Sequence, residues 1–186
     1  MIYKILWAFR FVFLKLFWAR CGCIGYIGKP VYLLGMRKVV IGNRVRVFPG
    51  LRLEVHNEGR LVIGDNISIG QDCHLTCGQK LAIGDGTVIT NQVMITDIDH
   101  EYRQIGKPIL EQGLLLSETI IGKNCFIGSG AKIQAGTVLG DHCVVGANSV
   151  VRGVFPFGSV IVGIPGHIIK QYTDESWVKM NYKSND

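Results

Sequence analysis

The chain has 186 residues, 48% of them hydrophobic, with a net charge of +6 and a sequence pI of about 9.1. That length holds one modest domain with a small appendage and excludes two full-sized ones. Gly 24 against Pro 5 without a three-residue period excludes collagen and points to many tight corners, and the repeat region lacks the basic block beside aromatics expected of a nucleic-acid binder.

Residues 1–20, MIYKILWAFRFVFLKLFWAR, are dense in aromatic and aliphatic side chains but interrupted by Lys4, Arg10, Lys15 and Arg20. No uninterrupted run reaches spanning length, and a cleaved signal peptide fits poorly because basic residues recur throughout. At 100° per residue Lys4 and Lys15 fall close together, giving an otherwise apolar helix a partly polar face. The segment reads as an amphipathic interfacial helix whose basic side chains reach lipid phosphates while Trp7 and Trp18 sit at headgroup depth. A cap or subunit interface, and true insertion, stay open beside it. Residues 1–36 are taken as helix and linker, in a cytoplasmic protein that this helix would place on the inner face of the membrane.

A six-residue clock follows over 37–170. Aliphatic residues hold every register position at 41, 47, 53, 63, 69, 75, 83, 89, 95, 121, 127, 133, 139, 145 and 151, often followed by glycine as in Ile63-Gly64 and Ile127-Gly128. Four positions later comes a small or branched residue such as Cys73, Thr87, Cys125, Ala131 or Ser149. Helical solenoids need tens of residues per unit. The period predicts an all-β fold, a parallel β-helix with three flat sides of about one hexapeptide each. Cys21, Cys23, Cys73, Cys77, Cys125 and Cys143 show no CxxC pair and read as free packed thiols of a reducing compartment.

The clock misses at three places. The steps from Leu53 to Ile63 and from Leu75 to Ile83 are long by a few residues, and the step from Ile95 to Ile121 leaves an excursion, 100–118, suited to shaping a site. After Val151 the rhythm lapses through Pro156 and Gly158, and Asp174 reads as the start of a short terminal helix within a 171–186 tail.

Two stretches, IGDGTVITNQVMITDIDH ending at His100 and VLGDHCVVGANSVVRGVFPFGSVIVGIPGHIIK, carry a resemblance. Over about residues 37–170 the chain resembles the hexapeptide-repeat acyltransferases, in particular the galactoside, maltose and polysaccharide O-acetyltransferase branch. The resemblance implies a left-handed coil, a homotrimer with active sites between subunits, and acetyl-CoA as acetyl donor to a sugar or lipid-linked saccharide of cell-surface polysaccharide or lipopolysaccharide biosynthesis. His100 matches the catalytic histidine; O-acetylation needs a base of near-neutral pKa, which imidazole supplies. Asp97 and Asp99 are candidates to orient that ring or meet the acceptor. His74 stands where relatives often carry an acceptor-binding asparagine. On the cofactor side the resemblance implies Ser129 along the pantetheine slot, Ala147 near the thioester end, Arg152 and Gly153 in place of a Thr-Lys pair, and His167 and Lys170 toward the nucleotide phosphates. No metal is implied: His56, His74, His100, His142 and His167 are scattered unlike the three-histidine set of carbonic-anhydrase-like coils. An N-acyltransferase of amino or nucleotide sugars and a noncatalytic scaffold are the alternatives.

Overall fold

Register residues stack directly on their predecessors: Ile41 pairs with Ile63, Ile63 with Ile83, Ile83 with Ile121, and Ile121 with Leu139, all in parallel. The computed structural model describes residues 2–180; Met1 of the expected helix and 181–186 of the expected tail lie outside the described residues. The chain visits three parallel sheets in turn, a parallel β-helix of about seven coils. Side 1 runs from Arg20–Cys21 to Val154–Phe155, side 2 from Gly25–Ile27 to Ser159–Gly163, and side 3 from Tyr32–Leu34 to Val150–Val151. All fifteen register residues are buried, and so are Cys73, Thr87, Cys125, Ala131 and Ser149 from the second slot. Strand alternation sends the immediate neighbours of most register residues outward, so the core is built from the register strip of each side and the second slot beside it.

The corner between sides 1 and 2 shows how the coil turns without strain. Arg44, Asn66, Gly86, Asn124, His142 and Gly158 stack there, all with positive φ. Side-chain oxygens bridge successive coils: Asn43 N–H donates to Asp65 Oδ1 (2.7 Å), Asp65 N–H to Asp85 Oδ1 (2.9 Å) and Lys123 N–H to Asp141 Oδ1 (2.7 Å). Gly and Asn hold four of these six positions, the residues that adopt positive φ most readily.

The coil begins earlier than the boundary at 37. Cys21, Ile27 and Leu33 lie beneath Ile41, Val47 and Leu53, so residues assigned to a linker form the first coil. Ahead of it the helix α1 (Ile2–Leu14) packs on Gly25–Ile27. Phe11 and Trp18 are buried and plug the open end, although the Trp18 indole N–H has no hydrogen-bond partner there. The expected orientation of the basic residues is corrected. Lys4 Nζ sits 5.5 Å from the Tyr26 ring centre, Arg10 Nη1 donates to Ile27 O (3.2 Å) and Lys15 Nζ to Cys23 O (3.1 Å). Arg10 and Lys15 thus satisfy rim carbonyls of the first coil, which have no coil beneath them.

The other end is also corrected. Phe155 and Ile161 resume the inward series beyond Val151, paired with Leu139 and Val145. The expected terminal helix is a hairpin: Gly166–Thr173 runs antiparallel to Ser159–Gly163, and Ser176–Lys179 antiparallel to it. Asp174 and Glu175, with φ 47 and 61, make the two-residue turn; two positive-φ residues match the twist of a hairpin and cannot start a helix.

Leu75, wholly buried between Leu53 and Ile95, tests the stack. Leu75→Ala should cost roughly 2–5 kcal/mol, read as a lower urea midpoint with an unchanged slope.

Candidate active site

Side 3 is bounded by two corners, and most of the sequence-predicted residues divide between them, with His74 on the face of side 3 and Lys170 on side 2. The excursion leaves the corner between sides 3 and 1, and its root is Asp97. This side chain is 0% exposed; Oδ1 accepts from Gly78 N–H (2.6 Å), and Oδ2 from the N–H groups of Gln79 (2.9 Å) and Lys80 (2.6 Å). The Asp97 carbonyl accepts from Ser117 N–H (2.9 Å), and Thr119 Oγ1 donates to Thr96 O (2.8 Å), so both ends of the excursion are tied to one point. A carboxylate enclosed by backbone donors is unavailable to an acceptor, which corrects the substrate-binding expectation for Asp97.

From that root Ile98–His100 pairs antiparallel with Leu114–Leu116, His100 opposite Leu114. The excursion therefore starts two residues before His100 and holds it on a short ladder. The imidazole is exposed beside a pocket of about 340 Å³ lined by His56, Asn57, Thr76, Ile98, His100 and Leu114. Asp99 does not hold the ring. Its Oδ1 accepts the His100 backbone N–H (3.1 Å), and its Oδ2 takes Arg152 Nη1 at 3.1 Å. Arg152, expected on a cofactor phosphate, thus ties the excursion to the coil, and Gly153 at the same corner accepts Val138 N–H through its carbonyl.

His74 lies on side 3, its backbone paired with Arg52 and Met94. Its Nε2 is 3.1 Å from Glu54 Oε1 and 2.9 Å from Thr76 Oγ1. Glu54 also binds Arg52 Nε and lies 3.4 Å from His56 Nε2, although the residue is only 9% exposed. The Arg52 hydrogen bond, with His74 adding to it, holds this carboxyl below its ordinary value against the opposing effect of burial. An ionised Glu54 only accepts, so in this hydrogen bond His74 Nε2 is the donor. Arg52, Glu54 and His56 are the residues that sequence reasoning missed. They alternate with inward Leu53 and Val55, and one coil step of 22 places Arg52 and Glu54 beside His74 and Thr76.

The corner between sides 2 and 3 holds the other group. Ser129 Oγ donates to Asn91 Oδ1 (2.7 Å) and Ser129 O accepts Asn148 N–H (2.8 Å), so Ser129 and Ala147 are neighbours in successive coils. A Cβ on Gly128 would lie 2.6 Å from Ala147 N, so only glycine permits this approach. His167, whose Nδ1 lies 3.3 Å from Pro165 O, follows at the same corner, where adjacent Gly166 abuts Val150. Lys170 lies farther along side 2, exposed and paired through its backbone with Val160 and Lys179. Two of the buried thiols, Cys77 and Cys73, are no nucleophiles. Burial, with Asp97 adding to it, pushes Cys77 up to about 12, and burial pushes Cys73 up to about 11.

A family model for the bacterial transferase hexapeptide (six repeats) matches residues 118–153. Over 174 residues the chain is 31% identical to WbbJ of Escherichia coli strain K12, a putative lipopolysaccharide biosynthesis O-acetyl transferase, covering 89% of this chain and 87% of that one. The chain belongs to the hexapeptide-repeat acyltransferases. A second family relative, the probable acetyltransferase Rv3034c of Mycobacterium tuberculosis, is 32% identical over 148 residues, 78% of this chain but only 49% of that one. Among solved structures, AntD, an N-acyltransferase from Bacillus cereus in complex with dTDP and 3-hydroxybutyryl-CoA, superposes with a TM-score of 0.76 at 20% identity, covering 88% of each chain. Galactoside acetyltransferase in complex with coenzyme A gives 0.60 at 22%, covering 95% and 78%. At those identities the likeness is one of fold.

Two substitutions separate structural from acceptor-facing roles in this acyltransferase. Asp97→Ala strands three backbone donors and should cost roughly 2–4 kcal/mol in urea unfolding; unchanged stability with a raised acceptor KM would restore its binding role. Glu54→Gln should unfold more easily than wild type near neutrality. Because the folded pKa is depressed, that gap is present above the unfolded carboxyl pKa of about 4.3 and closes as pH falls through the folded value; unfolding midpoints across acid pH check it.

Proposed function

We propose that this acyltransferase moves the acetyl group of acetyl-CoA to a hydroxyl of a sugar or lipid-linked saccharide in cell-surface polysaccharide or lipopolysaccharide biosynthesis, with His100 as general base. The observation that carries the reading is an exposed imidazole, on an excursion rooted by a wholly buried Asp97, lining a pocket whose wall joins His56, Asn57 and Thr76 to apolar Ile98 and Leu114. Acetyl-CoA supplies the activated carbonyl. His100 takes the acceptor's proton as its oxygen attacks and returns it to the departing sulfur, so the products are an acetyl ester and a free thiol. His74, oriented by the bond from its Nε2 to Glu54, meets a second hydroxyl of the sugar and fixes which oxygen reaches His100. The corner of Ser129 and Ala147 fits an extended pantetheine arm, since small side chains leave backbone amides accessible there, and Lys170 supplies a cation and His167 a ring nitrogen toward phosphates.

His100 and the Ser129–Ala147 corner bound side 3 at opposite edges, on the order of 20 Å apart for a six-residue side. A site formed where one copy's excursion meets the next copy's Ser129 corner brings the two groups together, and a homotrimer closes that contact on itself. The excursion supports this reading with Ile105 and Leu110 almost fully exposed at its tip, apolar surface suited to a neighbouring subunit. N-acylation of an amino sugar uses the same base and is the second reading.

His100→Ala should lower kcat/KM for acetyl transfer by about 10²–10⁴ with oligomer mass and circular dichroism unchanged. Retained turnover would remove the general-base role. Mass analysis of products from nucleotide-linked, lipid-linked and amino sugars decides between ester and amide.

A further inference from the structure

The helix α1 and the turn that follows it are apolar on two faces. The inner face, including Trp7, Phe11 and Trp18, closes the coil. The outer face presents Ile5, Leu6, Phe9, Val12, Phe13 and Leu16 to solvent, with Phe9 69% and Leu16 78% exposed. A helix apolar all round belongs in a buried setting, and a contiguous patch of this kind marks a contact surface. Among the described residues no helix is long and apolar enough to cross a membrane.

Charge identifies what covers this face. Residues 1–53 contain ten of the chain's 20 Lys and Arg and none of its 14 Asp and Glu; the first acid is Glu54. In a coil, position along the sequence is position along the axis, so those residues make one end of the prism, from the helix through the first coil and into the second. Arg20, Lys29, Arg37 and Arg44 are exposed on them. The rest of the chain carries ten basic residues against 14 acidic ones. Two copies meeting helix to helix would press two strongly positive ends together. An anionic bilayer instead offers hydrocarbon for the outer face and phosphates for the surrounding cations.

We propose that the N-terminal end of the coil is a docking surface for an anionic lipid bilayer, with the outer face of α1 seated at the acyl boundary and the basic first coils against the headgroups. Lys4, Arg10 and Lys15 keep their contacts to the coil, and the lipid-facing cations come from the strands and corners behind the helix. The coil then stands end-on to the membrane. The inference is independent of acetyl transfer, because its test requires no turnover.

The test is co-sedimentation of the full chain with vesicles of phosphatidylcholine alone and with about one-third phosphatidylglycerol. Binding to the anionic vesicles should exceed that to neutral ones by about tenfold or more and weaken as salt shortens the Debye length. The double variant Phe9→Glu, Leu16→Glu changes only outward side chains, so circular dichroism and thermal unfolding should match wild type while vesicle binding falls at least about tenfold. Equal binding of variant and wild type, or no preference for anionic vesicles, overturns the proposal. A variant that instead changes the oligomer mass overturns it in favour of a second copy as occupant. Acetyl transfer to a soluble acceptor, measured in parallel, stays with His100 in every case, so the two readings fail separately.

Discussion

Stacking Ile63 on Ile41 and Ile83 on Ile63 puts every inward side chain under the same demand: it must fit a narrow triangular shaft and lie against an equal neighbour above and below. The shaft has no room for polar chemistry, and its few hydroxyls are returned to backbone carbonyls, as Thr87 Oγ1 is to Gly122 O. Anything the molecule does to another molecule must therefore happen at its corners, on its outward strand positions or at its ends. Each of those places is where the stacking rule is relaxed, and each carries residues that the core does not need.

The excursion shows how a relaxed position becomes a precise one. A long insertion would ordinarily leave its ends free, yet Asp97 joins the departing strand, the returning Ser117 and the previous corner at 78–80. Its burial sacrifices a carboxylate that stands three residues from His100, and what is gained is a fixed origin for the ladder that holds that histidine. Asp99 extends the same logic outward through Arg152. Two acidic residues beside a histidine thus act on the backbone that carries it and leave its ring alone.

Legibility followed the same division. The fifteen register positions were readable because only aliphatic side chains satisfy the shaft, and chance does not produce such a series. The first coil was missed because a cysteine at 21 opens it and Leu33 is followed by Leu34, so the apolar-glycine signal is incomplete there. Glu54 was missed for a different reason: outward polar residues are ordinary, and its significance comes from His74 one coil later. Asp97 and Asp99 were visible, but alternation could not say which carboxylate turned inward. Asp174 was misread because an Asp before a polar run looks like a helix cap, while the strand pairing that makes it a hairpin turn lies in another segment.

The two ends of the stack bring the constraint to its limit. A parallel coil leaves its terminal rung unpaired, and each end here is closed differently. At the C-terminal end Gly166–Thr173 reverses direction and hydrogen-bonds to Ser159–Gly163, so the closure is made by backbone and its outer strand is short and polar in part. At the N-terminal end a helix closes the coil with side chains, Phe11 and Trp18 below and cations from Lys15 and Arg10 on the exposed carbonyls. A cap of that kind needs one apolar face only. That α1 carries a second, on the end of the prism where no acidic residue occurs, means its composition answers to something outside the coil as well as to the coil itself.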